Sequence, residues 1–121
     1  MSLTRVGYLV KSVAYTDTTS ISMGTIGANA VVTDVKVLVN TAFDSGTSNV
    51  FDVGISGTSN NLAASVDVTS SGPASVTGTA TWGSIQSTSA PAEVTVLHTP
   101  TGAAATAGSA KVVVEYVYVE D

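Results

Sequence analysis

The chain has 121 residues, of which 44% are apolar and 11% charged, with no cysteine and a formal net charge of −5 from four basic and nine acidic side chains. That length holds one domain around a single core, and the apolar content excludes a disordered chain. Lack of cysteine excludes a disulfide framework, a thiol nucleophile and a thiolate metal site, while the cations Arg5, Lys11, Lys36 and Lys111 are scattered singly, which excludes the clustered basic surface that nucleic acid or an anionic membrane requires.

A typical soluble domain has roughly a quarter of its residues charged. This one covers its surface with Ser, Thr, Asn, Gly and Ala instead, a weakly hydrated surface suited to burial against neighbours. The opening Met-Ser-Leu-Thr-Arg-Val-Gly-Tyr lacks the basic-then-apolar pattern of a signal peptide, and no apolar run approaches the ~20 residues that span a bilayer. The expectation is a chain made and folded in a reducing cytoplasm.

Period-two patterning dominates. Val6, Tyr8 and Val10 alternate with Gly7, Leu9 and Lys11, which predicts a first strand running towards Tyr15; residues Met1 to Thr4 read as an N-terminal arm or a frayed end. Asp17-Thr18-Thr19-Ser20 is a turn, and a short strand follows around Ile21-Ser22-Met23. From Ala30 to Thr41 the alternation is strongest: it places Val31, Thr33, Val35, Val37 and Val39 on one face and Asp34, Lys36 and Asn40 on the other. The polar run Asp44 to Asn49 is a loop, and Phe51, Val53 and Ile55 form the returning strand of a hairpin. Gly57 to Asn61 is another turn. Leu62 to Val68 is a weaker segment in which Leu62-Ala63-Ala64-Ser65 could make a helical turn. Thr69 to Gly78 reads as loop, and Thr79 to Ile85, which holds Trp82, is a further strand candidate.

The last third repeats the hairpin. A strand through Val94 and Val96 reaches about Thr99, the uncharged run Thr99 to Gly108 forms a tip, and a closing strand runs from Ala110 to Val119. Val112, Val114, Tyr116 and Tyr118 share one face of it, yet the other face carries Val113, Val117 and Val119 beside Lys111 and Glu115. A strand apolar on both faces is central in a sandwich or covered by another subunit. Seven to eight short strands with turn signals every 8–12 residues or so predict an all-β, antiparallel β-sandwich, with the jelly roll among its variants. No internal repeat or second domain is visible, so residues 1–121 form one domain.

Candidate chemistry is sparse. His98 is the only histidine, and no serine sits in a Gly-x-Ser-x-Gly elbow; it reads as a surface or interface residue at a strand end. Asp44 to Asn49 supplies one carboxylate for a Ca²⁺ that wants six to eight oxygens, and an Asx-type turn explains it better. Trp82 with Tyr8, Tyr15, Tyr116 and Tyr118 is as readily packing as a sugar-stacking platform. The expectation is a non-enzymatic protein with no cofactor, metal or small-molecule substrate. Its working residues are then interface residues: Val113, Val117, Val119, Trp82 and the tip residues Thr101, Gly102, Ala103 and Ala104.

Two stretches carry a resemblance: Ile26 to Gly54 (IGANAVVTDVKVLVNTAFDSGTSNVFDVG) and His98 to Tyr116 (HTPTGAAATAGSAKVVVEY), about two-fifths of the chain. Together they resemble small β-sandwich virion proteins of tailed bacteriophages, such as head decoration (cement) proteins or fibre modules. The resemblance implies a homotrimer on the head surface of the virion that binds across adjacent subunits of the major capsid protein. The alternative it implies is a fibre or receptor-binding module that recognises host surface glycans. No catalytic or ligand residue carries over.

Overall fold

A computed structural model describes residues 3–17, 19–55, 57–79, 82 and 91–120, with residues 3–5, 119 and 120 described by their backbone only. The described residues contain no helix. They form eight strands: β1 (Leu3–Ala14), β2 (Ile21–Ile26), β3 (Ala30–Thr41), β4 (Ser48–Ile55), β5 (Ala63–Asp67), β6 (Gly72–Pro73), β7 (Ala92–Thr101) and β8 (Ser109–Glu120). Two four-stranded antiparallel sheets result, β1-β8-β3-β6 and β2-β7-β4-β5. The sequence-based expectation of an antiparallel β-sandwich with seven to eight strands holds.

The pairing is nested. β1 pairs with β8, β2 with β7, β3 with β6 and β4 with β5. The chain therefore folds as one long hairpin that rolls up, and the β3–β8 and β4–β7 ladders close the roll. Only the β4–β5 connection stays within one sheet.

Each sheet turns one set of alternate residues inward. Val35, Val37 and Val39 from β3 and Ala110, Val112 and Val114 from β8 meet Phe51, Val53 and Ile55 from β4 and Val94 and Val96 from β7, all buried. Each such side chain contributes on the order of 1.5–3 kcal/mol when fully buried. Phe43 and Phe51 are the largest of the fully buried residues, and their rings meet edge to face at 5.1 Å.

The two hairpins expected from sequence, β3 with β4 and β7 with β8, are not formed, because each connection crosses from one sheet to the other; three more local readings of the sequence are corrected. First, the alternation in β3 breaks: between Val32 and Asp34 the register with β8 shifts, so Thr33 is the extra residue of a bulge. Ala30 and Val32 point inward as a result, whereas Val31 is half-buried and Thr33 is exposed. The Thr33 hydroxyl donates to Glu115 Oε1 at 2.8 Å. Second, Leu62 to Ser65 makes no helical turn: the Leu62 N–H donates to the Val53 carbonyl, and Ala63 begins β5 against β4. Third, the Thr69 to Gly78 loop contains β6, two residues laid against Leu38 and Val39. Of the strand expected at Thr79 to Ile85, Thr79 and Trp82 are described, and Trp82 lies in a turn; the remainder falls outside the described residues. β1 begins at Leu3, with Leu3 opposite Glu120 and Thr4 opposite Val119.

Candidate functional site

β8 lies between β1 and β3, which accounts for its second apolar face. Lys111, Val113, Glu115 and Val117 point outward, and the register lines them up with their neighbours. Val117 lies between Val6 and Val31, Val113 between Val10 and Lys36, and Lys111 between Ser12 and Leu38. Glu115 lies between Tyr8 and Asp34. Five large apolar residues are exposed among those described, and four sit on this face: Val6 at 58%, Tyr8 at 59%, Val10 at 55% and Leu38 at 46%. The face is thus an apolar sheet surface with two cations and two carboxylates on it. Lys36 Nζ lies 3.1 Å from Asp34 Oδ2, and that contact holds the ammonium pKa above its ordinary value. At the β3 edge the face runs into an apolar groove of about 440 Å³ lined by Leu38, Pro73, Ala74 and Val76.

The outer face of the other sheet differs in kind. Ser22, Thr25, Glu93, Thr95, Asp52 and Asp67 lie on it beside the half-buried Val50 and Leu97, and none of these is a cation. The large exposed apolar residues of the sandwich faces thus gather on one sheet, and contiguous apolar patches are a common feature of docking surfaces.

A second surface forms at one end of the sandwich, where the loop between β7 and β8 meets the loop between β3 and β4. The Gly46 N–H donates to the Ala103 carbonyl at 3.0 Å, and the Thr47 N–H donates to the Thr101 carbonyl at 2.7 Å. Asp44 completes the clamp. Its Oδ1 accepts from the N–H groups of Thr106 and Ala107 at 2.7 and 3.0 Å, and its Oδ2 accepts from the Thr106 hydroxyl at 2.7 Å. Those bonds, the Thr106 hydroxyl foremost, hold the Asp44 carboxyl below its ordinary pKa. Gly102 adopts φ 90°, in the left-handed region glycine tolerates. Thr101, Gly102, Ala103 and Ala104 are all exposed, so the tip is an uncharged surface held by its neighbour loop.

Beneath this tip lies His98. The sequence suggests a surface or interface histidine at a strand end; it sits within β7, faces inward and is 3% exposed. Its ring packs edge to face on Phe43 at 4.7 Å and Phe51 at 5.7 Å. The Asn49 amide is oriented by Ser45, whose N–H donates to Oδ1 and whose carbonyl accepts from Nδ2. Oδ1 therefore faces His98 Nε2 at 3.3 Å, and Nε2 carries the proton of a neutral ring. Burial pushes the His98 pKa below its ordinary value. The imidazole is thus engaged with an amide and two phenyl rings, and the Asp44 carboxylate is taken up by the loop it clamps.

The interface residues expected from sequence fall in three places. Val113 and Val117 join the exposed sheet face, and Val119 continues their strand at the level of Thr4, its side chain outside those described. Thr101 to Ala104 form the tip. Trp82 belongs to neither: it is half-buried, packs against the core, and donates from Nε1 to the Leu62 carbonyl at 2.9 Å. Sequence reasoning missed Val6, Tyr8, Val10 and Leu38 as surface residues. The signal for the first three was the continuous run Val6 to Val10, in which neither alternate set is polar.

No family model matches the chain, and no curated protein matches it. Among solved structures, a chain of the cyanophage Pam1 capsid asymmetric unit superposes with a TM-score of 0.63. The match covers 97% of this chain and 86% of that one at 19% sequence identity. The likeness is one of fold. It extends over nearly the whole chain.

Proposed function

We propose that this chain is a structural protein of a tailed-phage virion, associated with the capsid, and that it works as a decoration (cement) protein on the head surface. The observation that carries the reading is the fold likeness to a chain of a phage capsid asymmetric unit over 97% of the residues. The strand orders 1-8-3-6 and 2-7-4-5 with nested pairing support it: we read them as a jelly roll, a fold used by viral capsid and lectin domains.

Its partner on this reading is the major capsid protein, bound across adjacent subunits. Cementing is a linkage effect: a protein that binds only the assembled shell stabilises that state, by ~2.7 kcal/mol per site at a concentration a hundredfold above its dissociation constant. Many copies make weak contacts add up. A clamped, uncharged tip suits such work because little ordering cost is left for the moment of binding. Trp82 speaks for this reading over a glycan-binding fibre module, because its indole is hydrogen-bonded to Leu62 and packed on the core. A sugar platform needs an exposed ring face.

The test is add-back to heads of the source phage that lack this chain. Electron microscopy should show new density on the head shell, and the decorated heads should release their genome at a higher temperature. Density on tail fibres, or no binding to heads, overturns the proposal.

A further inference from the structure

We propose that the outer face of the β1-β8-β3-β6 sheet is covered by a second copy of this chain, related by a two-fold axis that runs across the strands. This proposal is independent of the virion role. It rests on the composition and the charge order of that one face.

Four exposed apolar residues, Val6, Tyr8, Val10 and Leu38, are gathered there with the half-buried Val31, Val113 and Val117. The face spans about ten residues along three strands, which at ~3.3 Å per residue and ~4.8 Å between strands is on the order of 500 Å² per copy. Two such faces bury about the ~1,000 Å² that marks a specific interface.

Charge order selects the occupant. The molecule as a whole is at −5, so two copies repel through most of their surface. This face is balanced, with Asp34 and Glu115 against Lys36 and Lys111, and the two signs are separated along the strand direction. Rows read from one end to the other are Val6–Val117–Val31, then Tyr8–Glu115–Asp34, then Val10–Val113–Lys36, then Ser12–Lys111–Leu38. A two-fold axis across the strands reverses that order in the second copy. Passed between the second and third rows, it sets Tyr8 over Val10 of the second copy and Asp34 over Lys36 of the second copy. Each contact occurs twice, as an isologous interface requires. The same operation sets Glu115 over Val113 and Lys111 over Val117 of the second copy, so the charge complementarity is carried by the two Asp34–Lys36 contacts. The Thr33 bulge matters to this, because it turns Asp34 outward beside Lys36 instead of into the core.

A pair of this kind differs from the threefold assembly that the phage resemblance implies, and the two are separable by mass. Light scattering of the intact chain at roughly 100 μM, well above a ~1 μM dissociation constant, should return twice the monomer mass. Val10→Glu should return the monomer, with an unchanged circular dichroism spectrum because the position is exposed. Asp34→Lys should also dissociate the pair, and the swap Asp34→Lys with Lys36→Asp should restore it, since the reversed charges again face each other. A monomeric or trimeric wild type, or a dimer indifferent to Val10→Glu, overturns the proposal. So does failure of the double swap to restore a dimer that the single change has broken.

Discussion

At position 98 the folded chain holds a neutral imidazole between Phe43 and Phe51, with Nε2 on the Asn49 amide. A second proton on that ring would place a cation against two phenyl groups, with none of the described carboxylates paired to it. The nearest acid of the clamp, Asp44, is exposed and spends its oxygens on Thr106 and Ala107. The linkage has a definite sign. The folded-state pKa lies below the ordinary 6.5, so the unfolded chain binds the proton more readily and stability rises with pH. Its contribution is full above about pH 6.5 and is lost as pH falls through the lowered folded value. Thermal unfolding followed from pH 8 to pH 4.5 should show the midpoint decline from about pH 6.5 downward. In His98→Gln, which keeps a donor for Asn49, that slope should flatten. An equal slope in the variant would assign the acid sensitivity to other groups, of which Asp44 and Asp67, both lowered by their hydrogen bonds to threonines, act only below about pH 3.8.

Elements show where close packing decides the outcome. Gly54 lies in β4 with the turn of residues 57–61 folded back on it, and a Cβ there would collide with the Thr58 carbonyl. Gly54→Ala should therefore lower stability by roughly 1–3 kcal/mol, as overpacking does, measured as a shift in denaturant midpoint at constant m-value. An unshifted midpoint would mean that the turn moves aside freely. The same scale explains what the sequence could reveal. Strands β3, β4, β7 and β8 were legible because valine and phenylalanine recur at period two and polar turn clusters separate them. The bulge at Thr33 was not, since Val31-Val32-Thr33 offers two alternations of nearly equal apolarity, and pairing with β8 chooses between them. Two-residue β6 has no pattern to read, and it exists because the Ala74 N–H reaches the Val37 carbonyl. For the candidate site, Val113 and Val117 were legible from a strand apolar on both faces. Tyr8 and its neighbours were not, because in an edge strand the partner sheet decides which set faces in. Gly7 and Leu9 take the inner side under Tyr116 and beside Gly24, leaving Val6, Tyr8 and Val10 outside.

Over the whole molecule, charge and loop structure divide the surface by task. All four cations fall on β1, β3 and β8, while the opposite sheet face carries acids, threonines and the half-buried Val50 and Leu97. On the two proposals, a copy paired through the apolar face would keep its tip free at the end of the sandwich, so self-association and shell binding would draw on different residues. Substitutions should separate them. Ala103 is exposed and lies on the loop that Asp44 and Gly46 clamp, so Ala103→Glu changes charge at the tip without opening the core. On the cement reading it should weaken binding to undecorated heads at least tenfold in a cosedimentation titration, while mass by light scattering and the unfolding midpoint stay as in the wild type. Val10→Glu should do the reverse to mass and leave the contact of a single copy with the shell in place. If Ala103→Glu binds heads as well as the wild type, the tip is not the shell contact, and the sheet face becomes the surface to test against the capsid.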